Sequence, residues 1–418
     1  MLALLRRRNF ALLWLAGAVS TLGDWILMVA LPFFVYDLTG SALATGATFM
    51  ASTLPRVFLS SVAGVLVDRW DRKWTLVLSD AARGLLLLPL LLVRSADTLW
   101  IVYVVATVQS SIAQGFIPAK WAFLPRLVDE GELLPANGLN SLSDNLTRLI
   151  GPALGGALYG ALGLPVIVAL NAGTFLVSAA LLATISVSGA PLARHIATAA
   201  RGAAALRGEL VVGLRVVGGN RLLGGVFALF GIAMLGEGLL ISLLVPFVKE
   251  VLGGSAAQLG WLMSAQAIGG LLGGLLVGRI GRLLPPLRLI AIAGILDGVL
   301  LLAIINSGSL GLAIGLMALA GLPVVTFFVS GQTLIQANTT DQFRGRVFGA
   351  LSTVGALMTL IGMGLAALLG DRLGIVPTLS LGAIAYGLAG VAALALRPAI
   401  ERPGRAPPDT AGSAAIGG

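Results

Sequence analysis

Apolar residues run along this chain in long stretches, each closed by a cluster of charges or by Gly and Pro. The runs fall at residues 10–36, 42–66, 74–93, 98–119, 138–161, 164–186, 222–248, 256–278, 287–305, 309–335, 346–369 and 374–396. A bilayer hydrocarbon core about 30 Å thick takes roughly 20 residues of helix to cross. With no water to satisfy backbone groups, a segment of this length in lipid is a helix. The pattern therefore predicts an all-α membrane protein with twelve transmembrane helices. Most connections are very short, as at Leu38-Thr39-Gly40-Ser41 and Asn306-Ser307-Gly308. Successive helices must then pack antiparallel.

Composition supports this reading. Of the 418 residues 57% are hydrophobic and 11% charged, whereas a soluble domain is about a quarter charged. The start, Met1 to Arg8, imitates a signal peptide, and Ala16-Gly17-Ala18 imitates its cleavage site. The apolar run nevertheless continues to Tyr36, past the 7–15 residues of a signal core, and is read as an uncleaved first span.

The net charge of +9 comes from arginines scattered over the connections, so no basic face for nucleic acid is expected. Counted in alternate loops, 21 of the 27 Lys and Arg lie on one side, three on the other and three within spans. By the positive-inside rule both termini are cytoplasmic, in a multi-pass protein of the cell's inner membrane. There is no cysteine, and the one histidine, His195, lies in a polar linker. No metal and no cofactor are expected, and proton handling falls to carboxylates.

The chain also repeats itself. Leu22-Gly23-Asp24 matches Leu235-Gly236-Glu237 at an offset of 213, and Leu149-Ile150-Gly151 matches Leu360-Ile361-Gly362 at 211. Arg83-Gly84 falls opposite Asp297-Gly298 at 214, and Gly64 to Arg72 matches Gly274 to Arg282 at 210. Six spans per repeat is an even number, so the halves have the same orientation, as parallel pseudo-repeats. The expected division is an N-terminal six-helix bundle at 1–186, a cytoplasmic linker at 187–221, a C-terminal six-helix bundle at 222–396 and a disordered cytoplasmic tail at 397–418. Within the linker, Arg201 to Val217 is a candidate helix for the anionic leaflet surface; the plainer reading is a tether.

Asp24, Asp80, Asp144, Glu237 and Asp297 fall within spans, with Arg56, Arg83 and Arg148. An acid at a helix centre costs about 2.5–3.5 kcal/mol on insertion scales, so these acids must face one another, an arginine or a wet cavity. Asp144 and Arg148 share a helical face four residues apart, and Asp80 and Arg83 stand similarly close; both sets are expected to pair. Asp24 and Glu237 have no such local partner and occupy the same place in each half. Burial disfavours the charged form of a carboxyl, so such a group can load a proton from one compartment and release it to the other. Asp24 is expected to carry the coupled proton, with Glu237 as second carrier or cation contact. The structural alternative ties Asp24 to Arg56. Among the aromatics, Trp25, Phe33, Phe230 and Phe327 are candidates to line a substrate cavity, the alternative being plain packing.

The second span ends in Gly64-Val65-Leu66-Val67-Asp68-Arg69-Trp70-Asp71-Arg72-Lys73. This resembles the loop signature of the major facilitator superfamily. The resemblance implies the major facilitator fold and a cytoplasmic latch between the halves formed by Gly64, Asp68, Arg69, Arg72 and Lys73; the alternative is that Arg69, Arg72 and Lys73 only set topology. The stretch Ile150-Gly151-Pro152-Ala153-Leu154-Gly155-Gly156 resembles the helix-packing motif of drug–proton antiporters, carried here by Gly151, Pro152, Gly155 and Gly156. Asn9 to Trp14 with Leu22 to Trp25, Pro118-Ala119 with Leu124-Pro125, and Asp341 to Gly349 together resemble the antiporter branch that includes macrolide exporters and the enterobactin exporter. These likenesses imply a monomeric exporter of hydrophobic or cationic small molecules, working by proton antiport with alternating access. A siderophore exporter or a lysophospholipid flippase is the alternative. An enzyme is not expected, because no histidine or cysteine lies in the membrane to activate a nucleophile.

Overall fold

In the computed structural model of the chain, residues 2–190 and 203–396 are described, side chains excepted at 2, 60–69 and 203–207. Helix α1 (Arg8–Thr39) ends at Gly40, whose left-handed φ of 61° lets its N–H return to the Tyr36 carbonyl. Helix α2 (Ala42–Arg69) follows. Asp71 caps α3 (Arg72–Leu87) by accepting from the Trp74 N–H, satisfying a backbone donor that the helix start leaves open. A tighter turn, Leu88–Leu92, carries α3 on past Pro89, and α4 spans Trp100–Phe123. One helical stretch, Leu133–Ala183, is broken at Gly163 (φ 74°, ψ 178°) into α5 (133–162) and α6 (164–183).

A shorter helix, α7 (Ala203–Gly218), precedes the second set. That set comprises α8 (Arg221–Pro246), α9 (Ala256–Ile280), α10 (Pro286–Asn306), α11 (Leu310–Ala337), α12 (Asp341–Leu373) and α13 (Ile375–Ala395). Among the described residues there is no strand. Ten helical segments are long and apolar enough to cross a membrane, one of them holding both α5 and α6. With α2, 28 residues long, the membrane-length helices among the described residues number twelve.

The sequence repeat reappears as packing. A Cβ on Gly151 of α5 would lie 2.4 Å from the Trp25 Cβ on α1; its counterpart on Gly362 of α12 would lie 2.1 Å from the Leu235 carbonyl of α8. Gly84 of α3 sits against the Ala172 carbonyl of α6, and Gly298 of α10 against the Ala383 carbonyl of α13. Glycine serves there because helix axes this close leave no room for a side chain. Helices α1–α6 and α8–α13 are thus two bundles built alike, the two-repeat arrangement read from the sequence. Leucines such as Leu78, Leu275 and Leu394 remain more than 60% exposed, as suits helices solvated by lipid.

Helix α7 lies within the expected linker and packs Gly213 against the Arg346 carbonyl at the start of α12. Residues 191–202, with His195, and the tail at 397–418 lie outside the described residues.

Candidate functional site

The two bundles meet where small residues let backbones touch. A Cβ on Gly156 of α5 would stand 2.0 Å from the Ala256 carbonyl of α9, and one on Gly260 of α9 would stand 2.2 Å from the Pro152 carbonyl of α5. Gly155 lies as tightly against the Ile26 carbonyl of α1, at 2.5 Å. The segment expected to pack helices therefore sits at a three-helix joint between the bundles.

Polar ties close the bundles at the face where α1 ends, called here the far face. Asp37 forms an ion pair with Lys249, in the wide turn after α8, and accepts a hydrogen bond of 2.7 Å from the Tyr159 hydroxyl. The Tyr36 hydroxyl donates to Glu250. Phe33 packs edge-on to Tyr159, ring centres 5.9 Å apart. At the opposite, near face, the ion pairs among the described residues stay within one bundle: Arg7 with Asp129 and Glu132, and Arg344 with Asp341. The hydrogen bond to Asp129 raises the exposed Arg7 guanidinium above its ordinary pKa, with the charges of Asp129 and Glu132 adding to it.

Between these faces lies a cavity of about 750 Å³ that both bundles line, with Asp24, Arg56 and Arg83 on one side and Phe230, Glu237 and Phe328 on the other. A second cavity, of about 170 Å³, is lined by Trp25, Arg148, Glu237, Gln266, Asp297 and Tyr386. Glu237 borders both. Residues 24, 83, 237 and 297 all stand mid-helix, so this polar cluster sits at the depth of the membrane's middle.

Arg83 organises the first bundle. One guanidinium nitrogen donates to both carboxylate oxygens of Asp24 at 2.9 and 2.8 Å, and Nε donates to Gln109 at 2.9 Å. Its face covers the Phe175 ring at 4.1 Å, and Gln109 returns a bond to the Arg83 carbonyl. This corrects the expectation of an Asp24 without a partner, and equally its alternative, because the tie is to α3 and not to Arg56. Asp80 is fully buried and accepts from the Ser178 hydroxyl, while its carboxylate stands 3.9 Å from Arg83. Arg83 therefore serves Asp24 first and Asp80 second.

The second bundle differs. Tyr386 on α13 donates to Glu237 at 2.9 Å. Asp297 is 1% exposed, and neither of its carboxylate oxygens has a hydrogen-bond partner among the described residues.

Other expected contacts are not formed. Asp144 and Arg148 make no ion pair; both are exposed, and Arg148 turns into the smaller cavity. One helical face brings them into reach, but Arg148 points into the cavity, which Asp144 does not line. Arg56 lines the larger cavity rather than a buried pair. Of the expected cavity aromatics, Trp25 and Phe230 face the cavities. Phe33 belongs to the far-face contacts, and Phe327 is 1% exposed within a cluster with Phe230, Phe328 and Tyr386. Phe328, its neighbour, lines the cavity instead.

In the expected latch, the side chains of Gly64, Asp68 and Arg69 lie outside the described residues. Arg72 is buried, with its N–H bonded to the Gly189 carbonyl, and Lys73 donates to the Ile185 carbonyl at 2.7 Å. Both tie α3 to the end of α6 within the first bundle. Lys120, counted among the loop cations, stands in the last turn of α4 with Nζ close to Gly17 of α1. A basic residue at the edge of an apolar run gives no sequence signal for this placement.

Two like-oriented helical bundles around a mid-membrane cavity, tied among the described residues at one face, define a transporter of the major facilitator type. Over residues 1–406 the chain matches the family described as transmembrane secretion effectors, and it belongs to that family of the major facilitator superfamily. It is 30% identical over 382 residues to YfiS, an uncharacterized MFS-type transporter of Bacillus subtilis (strain 168), covering 85% of each chain. With macrolide efflux protein A of Streptococcus pyogenes it shares 27% identity over 387 residues, 88% of this chain and 90% of the other. Among solved structures, a bacterial homologue of the iron transporter ferroportin in an inward-facing state superposes with a TM-score of 0.74 at 16% identity. That superposition covers 93% of this chain and 98% of the other.

Proposed function

We propose that this protein exports hydrophobic or cationic small molecules by exchanging them for protons, its two bundles exposing the central cavity to each side in turn. The observation that carries the reading is the cavity itself: about 750 Å³, shared by both bundles, with aromatic rings beside carboxylates. Apolar walls with a few convergent polar groups suit amphiphilic cargo. The relative that exports macrolides points the same way. Nothing in this cycle alters the cargo chemically.

The arginine-rich near face is the cytoplasmic one, with both termini there, in the inner membrane. The ties at Asp37 and Tyr36 then close the outer side, and the state described is the one that accepts cargo from the cytoplasm. The bundles extend over 1–186 and 222–396, with 187–221 as linker and α7 lying along the membrane surface. In the opposite state Gly64, Asp68, Arg69, Arg72 and Lys73 hold the cytoplasmic side closed. The protein works as a monomer.

A second reading, export of a siderophore or movement of a lysophospholipid, rests on Arg56, which faces the larger cavity and forms no ion pair among the described residues. The test is growth of an efflux-deficient bacterium carrying the protein across a panel of lipophilic cations, macrolides and anionic amphiphiles. Resistance to cations and macrolides that an uncoupler abolishes is expected. Export unaffected by the uncoupler, or confined to anionic amphiphiles, would replace the reading.

A further inference from the structure

Aligning the two halves of the sequence repeat places Asp24 opposite Glu237 and Arg83 opposite Asp297. In the first bundle these two positions hold an acid and a base, joined at 2.8 Å. In the second bundle the same two positions hold two acids. The fold is copied but the charge is not, and the difference lies at the wall between the two cavities.

The first pair is closed to exchange. Arg83 is fixed by Asp24, Gln109 and the Phe175 ring together. A proton arriving on Asp24 would remove the nearest counter-charge of this buried guanidinium and leave only Asp80 at 3.9 Å, a costly weakening of a buried ion pair. The second pair has the opposite problem. Asp297 is buried with both oxygens unmatched, and a buried carboxylate that accepts nothing carries the full desolvation cost. Around it α8 presents Glu237, α13 presents Tyr386 and α5 presents Arg148. The remaining cavity residues, from α1, α9 and α11, are uncharged, Trp25, Gln266 and Met317 among them. Within the smaller cavity two carboxylates thus face one cation, while Asp24, Arg56 and Arg83 line the larger cavity that Glu237 also borders; like charges that share a buried site disfavour each other's ionisation.

Resting on the proton-antiport reading above, we infer that the exchanged proton resides on the Glu237–Asp297 pair, while the Asp24–Arg83 pair is a fixed tie. The step is simple to balance: a proton from cavity water joins a carboxylate oxygen on one side of the membrane and returns to water on the other, with no electron transfer. Arg148 supplies the link to movement. It belongs to the first bundle and faces acids of the second. When the pair is fully ionised it draws Arg148 across the joint between the bundles, and when it holds a proton that attraction weakens. Proton loading is thereby tied to separation of α5 from α8 and α10, a positioning role for Arg148 that packing alone would not provide.

The test uses the whole purified protein in proteoliposomes loaded with a pH-sensitive dye, with ethidium as the transported probe. Protons moved per ethidium are measured for wild type, Glu237→Gln, Asp297→Asn and the double variant Asp24→Asn/Arg83→Gln. Wild type is expected to show coupled proton flow. Glu237→Gln and Asp297→Asn are each expected to move ethidium down its gradient with proton flow reduced at least tenfold. The double variant is expected to keep the wild-type ratio at whatever rate it runs. Coupling retained in both acid variants, or lost in the double variant alone, overturns the inference while leaving antiport standing. Ethidium movement without protons in wild type removes the antiport reading itself and this inference with it. Infrared spectroscopy of wild type needs no variant: a protonated-carboxyl band at neutral pH that vanishes reversibly on alkaline titration is expected, and its absence overturns the assignment.

Discussion

Replacing Gly156 with alanine adds one methyl group at the point where α5 and α9 touch. That methyl carbon would begin 2.0 Å from the Ala256 carbonyl oxygen and 2.7 Å from its carbon. Comfortable contact needs roughly 1.5 Å more, and the atoms in the way are backbone, which cannot swing aside. Overpacking of this kind costs about 1–3 kcal/mol. Each ~1.4 kcal/mol is a factor of ten in an equilibrium, so the state with α5 and α9 closed at the far face should lose about 5- to 150-fold in population. The chain has no cysteine, so Leu244→Cys, in the wall of the smaller cavity, is a unique label. Its reaction with an impermeant maleimide supplied from the outside should speed up at least fivefold in the Gly156→Ala background. Gly160→Ala is the control, one turn further along α5 with nothing within 4 Å of the added carbon. Equal labelling in both backgrounds would refute the idea that this joint is the moving seam.

Four further expectations follow from the same contacts. Arg83→Gln leaves Asp24 and Asp80 without their cation and should cost about 2 kcal/mol, read as a lower thermal unfolding temperature in detergent; Arg83→Lys should not restore it, since a lysine lacks the planar fork whose separate nitrogens reach Asp24 and Gln109. Lys249→Met removes a partner from the half-exposed Asp37 pair, worth under about 1 kcal/mol, and should raise outside labelling of Leu244→Cys only a few-fold. Phe328→Ala should weaken apparent affinity for aromatic cargo with little loss of stability, because the ring lines the cavity. Phe327→Ala, at 1% exposure, should instead cost about 3–5 kcal/mol and show as poor accumulation.

The fold was legible because lipid leaves the sequence few options: an apolar run of membrane length is a helix, and a short loop makes its neighbour antiparallel. The two spans expected at 138–161 and 164–186 are separate helices, α5 and α6, because the backbone breaks at Gly163 between them. The charge contacts were less legible. Spacing along one helix points to Asp144 with Arg148, yet no ion pair joins them and Arg148 turns into the cavity instead. The pairing that forms, Asp24 with Arg83, joins residues 59 positions apart and depends on how α1 meets α3. Its signal was present in the repeat, where Asp24 and Arg83 both align with acids of the second half, but alignment alone does not say that two positions face each other. Phe327 and Phe328 show the same limit: adjacent on one helix, they point to core and cavity, and only the rotation of α11 decides which.

In the proposed cycle, rocking of the two bundles exposes one cavity to the two sides alternately. Spin labels on cysteine pairs test it directly: Thr39→Cys with Leu252→Cys across the far face, and Glu130→Cys with Asn338→Cys across the near face. When proteoliposomes are shifted between acidic and alkaline buffer with ethidium present, pulsed distance measurements should show the far-face pair lengthening as the near-face pair shortens. Distances that stay fixed, or that lengthen at both faces together, would contradict the account.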